Sequence, residues 1–355
     1  MNKAEVYSYI QMIRDNSAPL EPLPLLPGSL PAEWETAEFS PTAEFSQTTA
    51  EFSPLRLDGI RAVLFDIYGT LFVSGAGDIA AAPGFAIDPS AGQEKLELTQ
   101  SAEFEAMTNY FRKAVRRFHE EALAAGKTWP EVICEEIWAR YSGPIPPEWE
   151  QAQKLRNILK RISGAGASGT GASAGPGSGG TVSGRAGSLG REMALRYELA
   201  LNPVYPMPGA EKTLRALVSR GLVPGIISNA QFYTPLLFNA FFNKPPEELG
   251  FDPGLSFYSF AEGEAKPSPG IFAKAREQLA LRNIKAEETL YIGNDMRNDI
   301  KPAAGAGFRT VLFAGDRRSL RLRREDPGCV NLRPDMVLTG WPAFNKLLQM
   351  PDQGR

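Results

Sequence analysis

The sequence is poor in the residues on which many enzymes rely. Only two cysteines, Cys134 and Cys329, and a single histidine, His119, occur among its 355 residues. A disulfide framework, a structural zinc site, a histidine-based catalytic triad and any multi-histidine metal site are therefore excluded. Chemistry in this chain has to use carboxylates, hydroxyls and lysine.

The chain also lacks a strong excess of one charge and a long apolar run. Its 38 Lys and Arg against 41 Asp and Glu leave a net charge of -3, which argues against a general nucleic-acid or anionic-membrane binder. No stretch approaches the ~20 apolar residues that span a bilayer. The first residues lack the uninterrupted apolar core of a secretory signal, because Glu5, Arg14 and Asp15 break it. We expect a cytoplasmic protein without nucleic-acid or membrane partners; the oligomeric state stays open.

Two segments have the biased composition of linkers. Residues 1–57 combine a short helical pattern over 3–14 with seven prolines after Ser17 and three copies of Ala-Glu-Phe-Ser, so we predict one marginal helix and an extended linker. Residues 163–190 contain 11 of the 34 glycines, which predicts a flexible loop inside a folded domain. Neither segment needs a function to explain it.

The pattern of apolar residues predicts an α/β fold. Short apolar runs typical of buried strands are separated by helical segments near 209–220, 268–280 and 298–306; the runs are Arg61–Phe65, Val223–Ile227, Leu290–Ile292, Thr310–Phe313 and Met336–Leu338. This alternation predicts a Rossmann-like parallel sheet between layers of helices, with ligands at the carboxyl ends of the strands. Residues 76–205 instead carry helical patterns only, interrupted by the glycine-rich loop.

Polar residues follow several of these strands. Asp66 comes after the first strand and precedes a turn at Gly69, while Ser228 and Asn229 follow the second. Lys266 stands before the helix start Pro267-Ser268-Pro269, which places its ammonium beside the same edge. Two more carboxylates, Asp295 and Asp299, follow the strand at 290–292.

Three acids that converge on one crevice repel each other. Two such charges ~4 Å apart cost about 4 kcal/mol at an effective dielectric of 20, so a cation is expected between them. With oxygen donors and neither histidine nor cysteine nearby, Mg²⁺ is the expected ion.

The order Asp66, Ser228, Lys266 and Asp295/Asp299 strongly resembles the four motifs of the haloacid dehalogenase-like hydrolase superfamily. The resemblance covers about 61–75 and 205–340. It implies an α/β core at 58–75 and 206–345, an inserted all-helical cap at 76–205, and a tail at 346–355. The long interval between Asp66 and Ser228 holds the cap, and the shorter later intervals leave no room for a second large one.

The resemblance also implies a role for each motif residue. Asp66 would be the nucleophile that forms an aspartyl-phosphate, and Lys266 would neutralise charge in the transition state. Mg²⁺ would bind the Asp66 carboxylate, the Tyr68 main-chain carbonyl and Asp295, while Asp299 would support the metal or Lys266. The phosphoryl oxygens would be held by Thr70, Ser228 and Asn229.

One position departs from the phosphatases of the superfamily. They usually carry a second aspartate, which acts as general acid, two residues after the nucleophile, where this chain has Tyr68. The loss of that acid could lower the rate roughly 10²- to 10⁴-fold. Tyrosine at this position resembles the haloacid dehalogenases, which work without metal, but those enzymes need a cap arginine and no arginine lies between Arg61 and Arg112.

Three hypotheses follow. We favour a Mg²⁺-dependent phosphatase acting on a small phosphorylated metabolite; the alternatives are a metal-independent haloacid dehalogenase-type hydrolase and a non-catalytic binding module that keeps the pocket.

Two polar features are explained by exposure to solvent without a role in the site. His119 lies on the polar side of its helix, and an arginine cluster near the carboxyl end is typical of a solvated helix face. The cluster comprises Arg317, Arg318, Arg321, Arg323 and Arg324.

Overall fold

A computed structural model describes residues 1–31, 34, 57–76, 97–149, 154 and 184–349. Within these residues the strands are β1 (Ala62–Phe65), β2 (Phe72–Ser74), β3 (Val204–Pro206), β4 (Val223–Ser228), β5 (Ser256–Tyr258), β6 (Thr289–Gly293), β7 (Arg309–Phe313) and β8 (Met336–Leu338). The helices are α1 (Lys3–Asp15), α2 (Ala102–Ala124), α3 (Cys134–Ala139), α4 (Gly184–Leu201), α5 (Ala210–Ser219), α6 (Leu236–Phe242), α7 (Ser259–Glu262), α8 (Pro269–Ala280), α9 (Lys301–Gly305) and α10 (Trp341–Gln349). Short 3₁₀ turns occupy Pro147–Trp149, Pro246–Leu249, Pro253–Leu255 and Ala286–Glu288, and Met296–Ile300 forms one π-helical turn.

Six of the described strands form one parallel sheet in the order β5-β4-β1-β6-β7-β8. All four residues of β1 are buried, as parallel strands covered on both faces require. Leu64 packs on one face with Phe272 and Ala275 of α8, and Phe65 packs on the other against Trp341 of α10, with ring centroids 5.8 Å apart. The predicted α/β fold with a Rossmann-like parallel sheet is confirmed.

The chain divides into two compact units. The first comprises Met1–Ala86, Thr128–Glu131 and Asn202–Arg355 and contains the sheet; the second comprises Ile87–Lys127 and Val132–Leu201. In the described part of the second unit, α3 and α4 pack closely: a Cβ at Gly190 would lie 2.2 Å from the Glu135 carbonyl oxygen. Phe111 stacks on Trp138 with centroids 5.2 Å apart, so aromatic side chains form its core.

The amino-terminal helix α1 packs on the α/β unit. Asn2 and Glu5 form a capping box at its start, which satisfies two amides of the first turn. Ile13 is fully buried, and the Tyr9 ring meets the Phe232 ring edge-on with centroids 5.7 Å apart. A helix that is marginal by itself is therefore stabilised by tertiary packing.

Several predicted boundaries are wrong. Residues 184–190, predicted as loop, lie in α4, because Leu189 and Gly190 are buried beside α3. Residues 204 and 205, predicted in the helical block, belong to β3, whose Tyr205 pairs with Val73 in an antiparallel hairpin. The predicted tail begins inside α10, since Leu348 is buried. Residues 163–183 and 35–56, with the three Ala-Glu-Phe-Ser repeats, lie outside the described residues.

Within the ranges that the structure describes, no helix is both long and apolar enough to cross a bilayer.

Candidate active site at the carboxyl edge of the sheet

Asp66 lies where the central strand of the sheet ends. Its amide donates to the Ile292 carbonyl at 2.9 Å, which continues the pairing of β1 with β6 by one residue. Gly69 then turns the chain with φ of 76°, a left-handed conformation that glycine adopts without steric cost. The strand and the turn together hold the Asp66 carboxylate at the carboxyl edge of the sheet.

Lys266 donates to three acceptors, one of which is this carboxylate. Its Nζ lies 2.7 Å from Asp66 Oδ1, 2.6 Å from Asp299 Oδ1 and 3.2 Å from the Tyr291 hydroxyl. Because an ammonium has three protons, every donor is used. Burial alone would lower the pKa of Lys266, but attraction by Asp299 and Asp66 outweighs burial and raises that pKa above its usual range. The lysine therefore stays charged.

Both oxygens of Asp299 already accept hydrogen bonds. Its Oδ1 accepts from Lys266 and lies 2.9 Å from the Tyr291 hydroxyl, while its Oδ2 accepts from the Asn294 and Asp295 amides at 3.0 and 2.9 Å. Three of the four lone-pair positions of this carboxylate are therefore used, and the fourth faces the Tyr291 hydroxyl. Burial raises the pKa of Asp299 to about 6, an effect that attraction by Lys266 only partly offsets. The geometry favours support of Lys266 over metal binding.

Ser228 and Tyr291 complete the set of groups around the two charges. Ser228 Oγ donates to Asp66 Oδ1 at 2.9 Å, so this oxygen has two donors. The Tyr291 hydroxyl lies 2.9 Å from the Ile227 carbonyl oxygen as well as from Asp299, and its single proton can serve only one of them at a time. Burial raises the pKa of Tyr291 well above its ordinary value, so the phenol stays neutral.

The other two predicted phosphate-binding residues have different surroundings. The Asn229 side chain accepts from the Lys266 amide at 2.7 Å and donates to the Lys266 carbonyl at 3.3 Å, so it holds the lysine backbone in place. Thr70 is fully buried, and its hydroxyl has no hydrogen-bond partner among the described residues. Asn229 lines the cavity beside Asp66, whereas Thr70 does not.

Tyr68 stands two residues after Asp66 and lines the same cavity. Its hydroxyl lies 3.0 Å from Thr234 Oγ1, which also accepts from the Gln231 amide at 3.0 Å. Thr234 can therefore donate its own proton to the phenol oxygen. The side chain is buried and directed by this contact.

Asp295 is neutralised by an arginine. Arg323 Nε lies 3.1 and 3.2 Å from the two Asp295 oxygens, and Arg323 Nη2 lies 2.5 Å from Oδ2. Asp295 Oδ1 also accepts from the amides of Arg297 and Asn298, which caps the π-helical turn after β6. The carboxylate thus joins the strand end to the segment that carries Arg323.

A small cavity of about 30 Å³ lies among these groups. Its volume is near that of one water molecule in the liquid, so a monoatomic cation would fit. The cavity is lined by Asp66, Tyr68, Asn229, Lys266, Asn294, Asp295, Asn298, Asp299 and Arg321.

The donor set of this cavity fits a hard divalent cation. Asp66 lines the cavity with one carboxylate, and Asp295 supplies a second once Arg323 releases it. No cluster of three or more Asp, Glu, His or Cys side chains that could hold a metal occurs among the described residues. Mg²⁺ commonly takes only one or two carboxylates from a protein and retains water, which suits this pair.

Sequence reasoning missed several residues of the site, among them Tyr291, Arg321 and Arg323. The apolar run predicts only a buried strand for Tyr291. The signal that could have found it is the alternation of strand side chains, which puts Tyr291 on the opposite face from Leu290 and Ile292. The arginine cluster predicts a solvated helix face for Arg321 and Arg323, but the described chain around them is not helical. Arg323 has φ of 51°, and no pattern in the sequence predicts a left-handed backbone conformation at an arginine.

The chain is similar to known proteins in both sequence and structure. The sequence model of the haloacid dehalogenase-like hydrolases matches residues 60–307. The glyceraldehyde 3-phosphate phosphatase of Pyrococcus furiosus is 33% identical over 150 residues, which cover 40% of this chain and 54% of that protein. The chain therefore spans about half the length of this curated relative.

Two of the solved structures to which the chain is similar are an L-2-haloacid dehalogenase from Xanthobacter autotrophicus and a HAD phosphatase from Thermococcus onnurineus. The first is 17% identical, covering 82% of this chain and 98% of the dehalogenase with a TM-score of 0.42. The second is also 17% identical, covering 82% of this chain and 98% of the phosphatase with a TM-score of 0.40.

Proposed function

This chain belongs to the haloacid dehalogenase-like hydrolases, and from that membership we propose that it is a phosphatase whose nucleophile is Asp66. The family establishes a hydrolase, as the order of the four motifs predicts. The phosphatase reaction is supported by the name of the Pyrococcus furiosus relative and by the groups around Asp66. The proposed substrate class is a small phosphate monoester.

One observation carries this proposal: the Asp66 carboxylate is held by one oxygen and open at the other. Oδ1 accepts from Lys266 and Ser228, whereas Oδ2 has no partner among the described residues. An oxygen that is oriented by its neighbour but not itself hydrogen-bonded is suited to attack a substrate atom. A merely structural aspartate would have both oxygens satisfied, as Asp299 has.

The proposed reaction has two displacements at phosphorus. Asp66 Oδ2 attacks, the bond from phosphorus to the alcohol oxygen breaks, and that oxygen takes a proton from water. Water then attacks the phosphorus of the aspartyl-phosphate, which releases inorganic phosphate and restores Asp66. Lys266 stabilises the negative charge that accumulates on the transferred group, and its three contacts hold the ammonium in place without reorganisation.

Mg²⁺ is part of this proposal. When bound, it would be held by the Asp66 carboxylate, the Tyr68 main-chain carbonyl and Asp295, and it would supply positive charge next to the phosphoryl group. Ser228 stays the proposed phosphate ligand with the most direct support, because its hydroxyl already contacts Asp66. We propose that Asn229 acts through the Lys266 backbone, and that Thr70 contributes its unpaired hydroxyl only if the turn opens.

The helical insertion is proposed to be the cap that selects the substrate. Its support is topological: the chain leaves the α/β unit after β2 and returns through β3, and these two strands pair as an antiparallel hairpin. A hairpin at the base of an insertion allows a separate compact unit to be added without interrupting the sheet. Substrate identity would then depend on residues of the second unit.

A metal-independent dehalogenase is the second candidate, and two observations favour it. Tyr68 occupies the position of the usual second aspartate, with its hydroxyl bound to Thr234. Arg323 already neutralises Asp295, so this acid needs no metal to compensate its charge. A third hypothesis, a binding module without turnover, predicts phosphate or Mg²⁺ binding with no reaction.

The discriminating experiment measures phosphate release from p-nitrophenyl phosphate, with Mg²⁺ and with excess chelator. We expect Asp66→Asn to lower the rate to background, a loss of roughly 10³-fold or more, because no other nucleophile replaces the carboxylate. Asp15→Asn is the matched control, since Asp15 is exposed at the end of α1. Equal rates for the wild type and Asp66→Asn would refute the phosphatase. Halide release from a 2-haloacid in chelator would establish the dehalogenase instead.

A further inference from the structure

We infer that Arg323 is an internal competitor of the divalent cation for Asp295 and thereby sets the metal affinity of this site. The inference extends the proposed function, because it rests on Mg²⁺ binding at Asp66 and Asp295. It concerns a residue outside the four motifs, in the non-helical segment between β7 and β8.

The contact between Arg323 and Asp295 uses the acceptor capacity of the carboxylate. Oδ2 faces two guanidinium nitrogens, Nε and Nη2, at 3.2 and 2.5 Å. Oδ1 accepts from Arg323 Nε and from the amides of Arg297 and Asn298. A metal ion needs a lone pair that points away from these donors. Arg323 and a metal therefore exclude each other at Asp295.

The backbone delivers Arg323 to this position. The Arg321 amide donates to the Asn294 carbonyl, and the Met296 amide donates to the Arg321 carbonyl, both at 2.9 Å. These bonds fix the segment beside Asp295 two residues before Arg323, whose φ of 51° then turns the side chain back. A left-handed backbone is sterically unfavourable for an arginine, so the ion pair has to compensate for it.

Burial makes the competition significant. The Asp295 side chain is 8% exposed and the Arg323 side chain 24% exposed, so solvent screens this pair less than an ordinary surface pair. A planar guanidinium matches both oxygens of a carboxylate at once. A metal ion must displace this group before it can bind, which weakens its apparent affinity by roughly tenfold or more.

The proposed test is calorimetric titration of Mg²⁺, and separately of Mn²⁺, into the full chain without substrate. The variants are Arg323→Ala, Arg323→Gly and Arg324→Ala. Glycine at position 323 suits the left-handed backbone, so this variant stays folded if the alanine variant does not. Arg324 is the matched control, because it is the next residue and its guanidinium contacts the Ser29 carbonyl instead of the site.

We expect both Arg323 variants to bind Mg²⁺ and Mn²⁺ roughly tenfold more tightly than the wild type, with Arg324→Ala unchanged. Equal or weaker binding by the Arg323 variants would overturn the inference, and so would absence of binding in every variant. Equal or weaker binding would leave the phosphatase proposal intact, because that proposal depends on phosphate release that requires Asp66. Absence of binding in every variant would remove only the Mg²⁺ part of the phosphatase proposal. If the wild type releases no phosphate while the Arg323 variants still bind metal more tightly, the phosphatase proposal is refuted and the inference about Arg323 stands.

Discussion

At the scale of single residues, the site is organised around charges whose hydrogen bonds are nearly complete. Lys266 uses all three of its protons, and Asp299 uses at least three of its four lone pairs. Removal of one partner of such a buried pair leaves an uncompensated charge, whereas the intact set holds one geometry. The oxygen left over, Asp66 Oδ2, is the one that can react.

Tyr68→Asp should increase phosphate release. The substitution restores a carboxylic acid two residues after Asp66, where a general acid contributes 10²- to 10⁴-fold in rate, so a gain of roughly tenfold or more is expected. The measurement is the turnover of p-nitrophenyl phosphate and of an alkyl phosphate, because the poorer leaving group depends more on the acid.

Tyr68→Phe is the control for that substitution. It removes only the hydroxyl that contacts Thr234, and it should leave phosphate release within a few-fold of the wild type. If Tyr68→Asp is no faster than Tyr68→Phe on the alkyl phosphate, a missing acid does not limit the rate.

Gly69→Ala should be far more destabilising than Gly59→Ala. Both glycines have positive φ, 76° and 80°, so an alanine costs each site about 1–2 kcal/mol. A Cβ at Gly69 would also lie 2.3 Å from Asn294 Nδ2 and Ser319 Cβ, whereas a Cβ at Gly59 meets nothing within 4 Å. We expect urea unfolding to show a loss of about 3 kcal/mol or more at Gly69. Similar losses at the two positions would contradict this close packing.

At the scale of elements, the docking of α1 shows how tertiary contacts decide whether a marginal helix forms. Arg14 donates to the Ala240 carbonyl at 2.8 Å and to the Asn239 carbonyl at 3.0 Å, near the end of α6. It also donates to Asn243 Oδ1 at 2.7 Å. A cation there interacts favourably with the carbonyls that a helix end leaves unpaired. Periodicity predicted the helix, but its partner lies more than 220 residues away in the sequence.

Arg14→Met should lower the free energy of unfolding by about 1–2 kcal/mol, because it removes these bonds and keeps the apolar stem. Lys3→Met is the control, since Lys3 is exposed in the first turn of the same helix. Urea denaturation followed by tryptophan fluorescence measures both. An unchanged midpoint for Arg14→Met would mean that these contacts add no stability.

At the scale of the whole molecule, the sheet brings distant segments to one edge. β1, β4 and β6 are neighbours in the sheet although β1 and β4 are separated by the whole helical insertion. A parallel sheet places the carboxyl ends of its strands together, so Asp66, Ser228 and Asn294 lie side by side. The second compact unit is added without altering this register.

Shortening of the segment 163–183 to six Gly and Ser residues should leave the fold intact. The prediction comes from composition alone, since these residues lie outside the described ranges. Shortening the loop about threefold lowers the entropic cost of closing it by roughly 1 kcal/mol, so the melting temperature should stay equal or rise slightly. Phosphate release should not change. A large drop in melting temperature would show that the segment contributes to packing.

The sequence by itself determined the α/β class and five of the six strands of the parallel sheet, and it predicted the four motif positions, because strand periodicity and turn residues are local properties of the chain. Only the tertiary structure decided how the charges are paired. In the tertiary structure Asp299 pairs with Lys266, and Asp295 pairs with Arg323. The Asn229 side chain bonds to the backbone of Lys266. Each of these pairings depends on where one backbone segment lies relative to another, and short-range patterns carry no information about that distance.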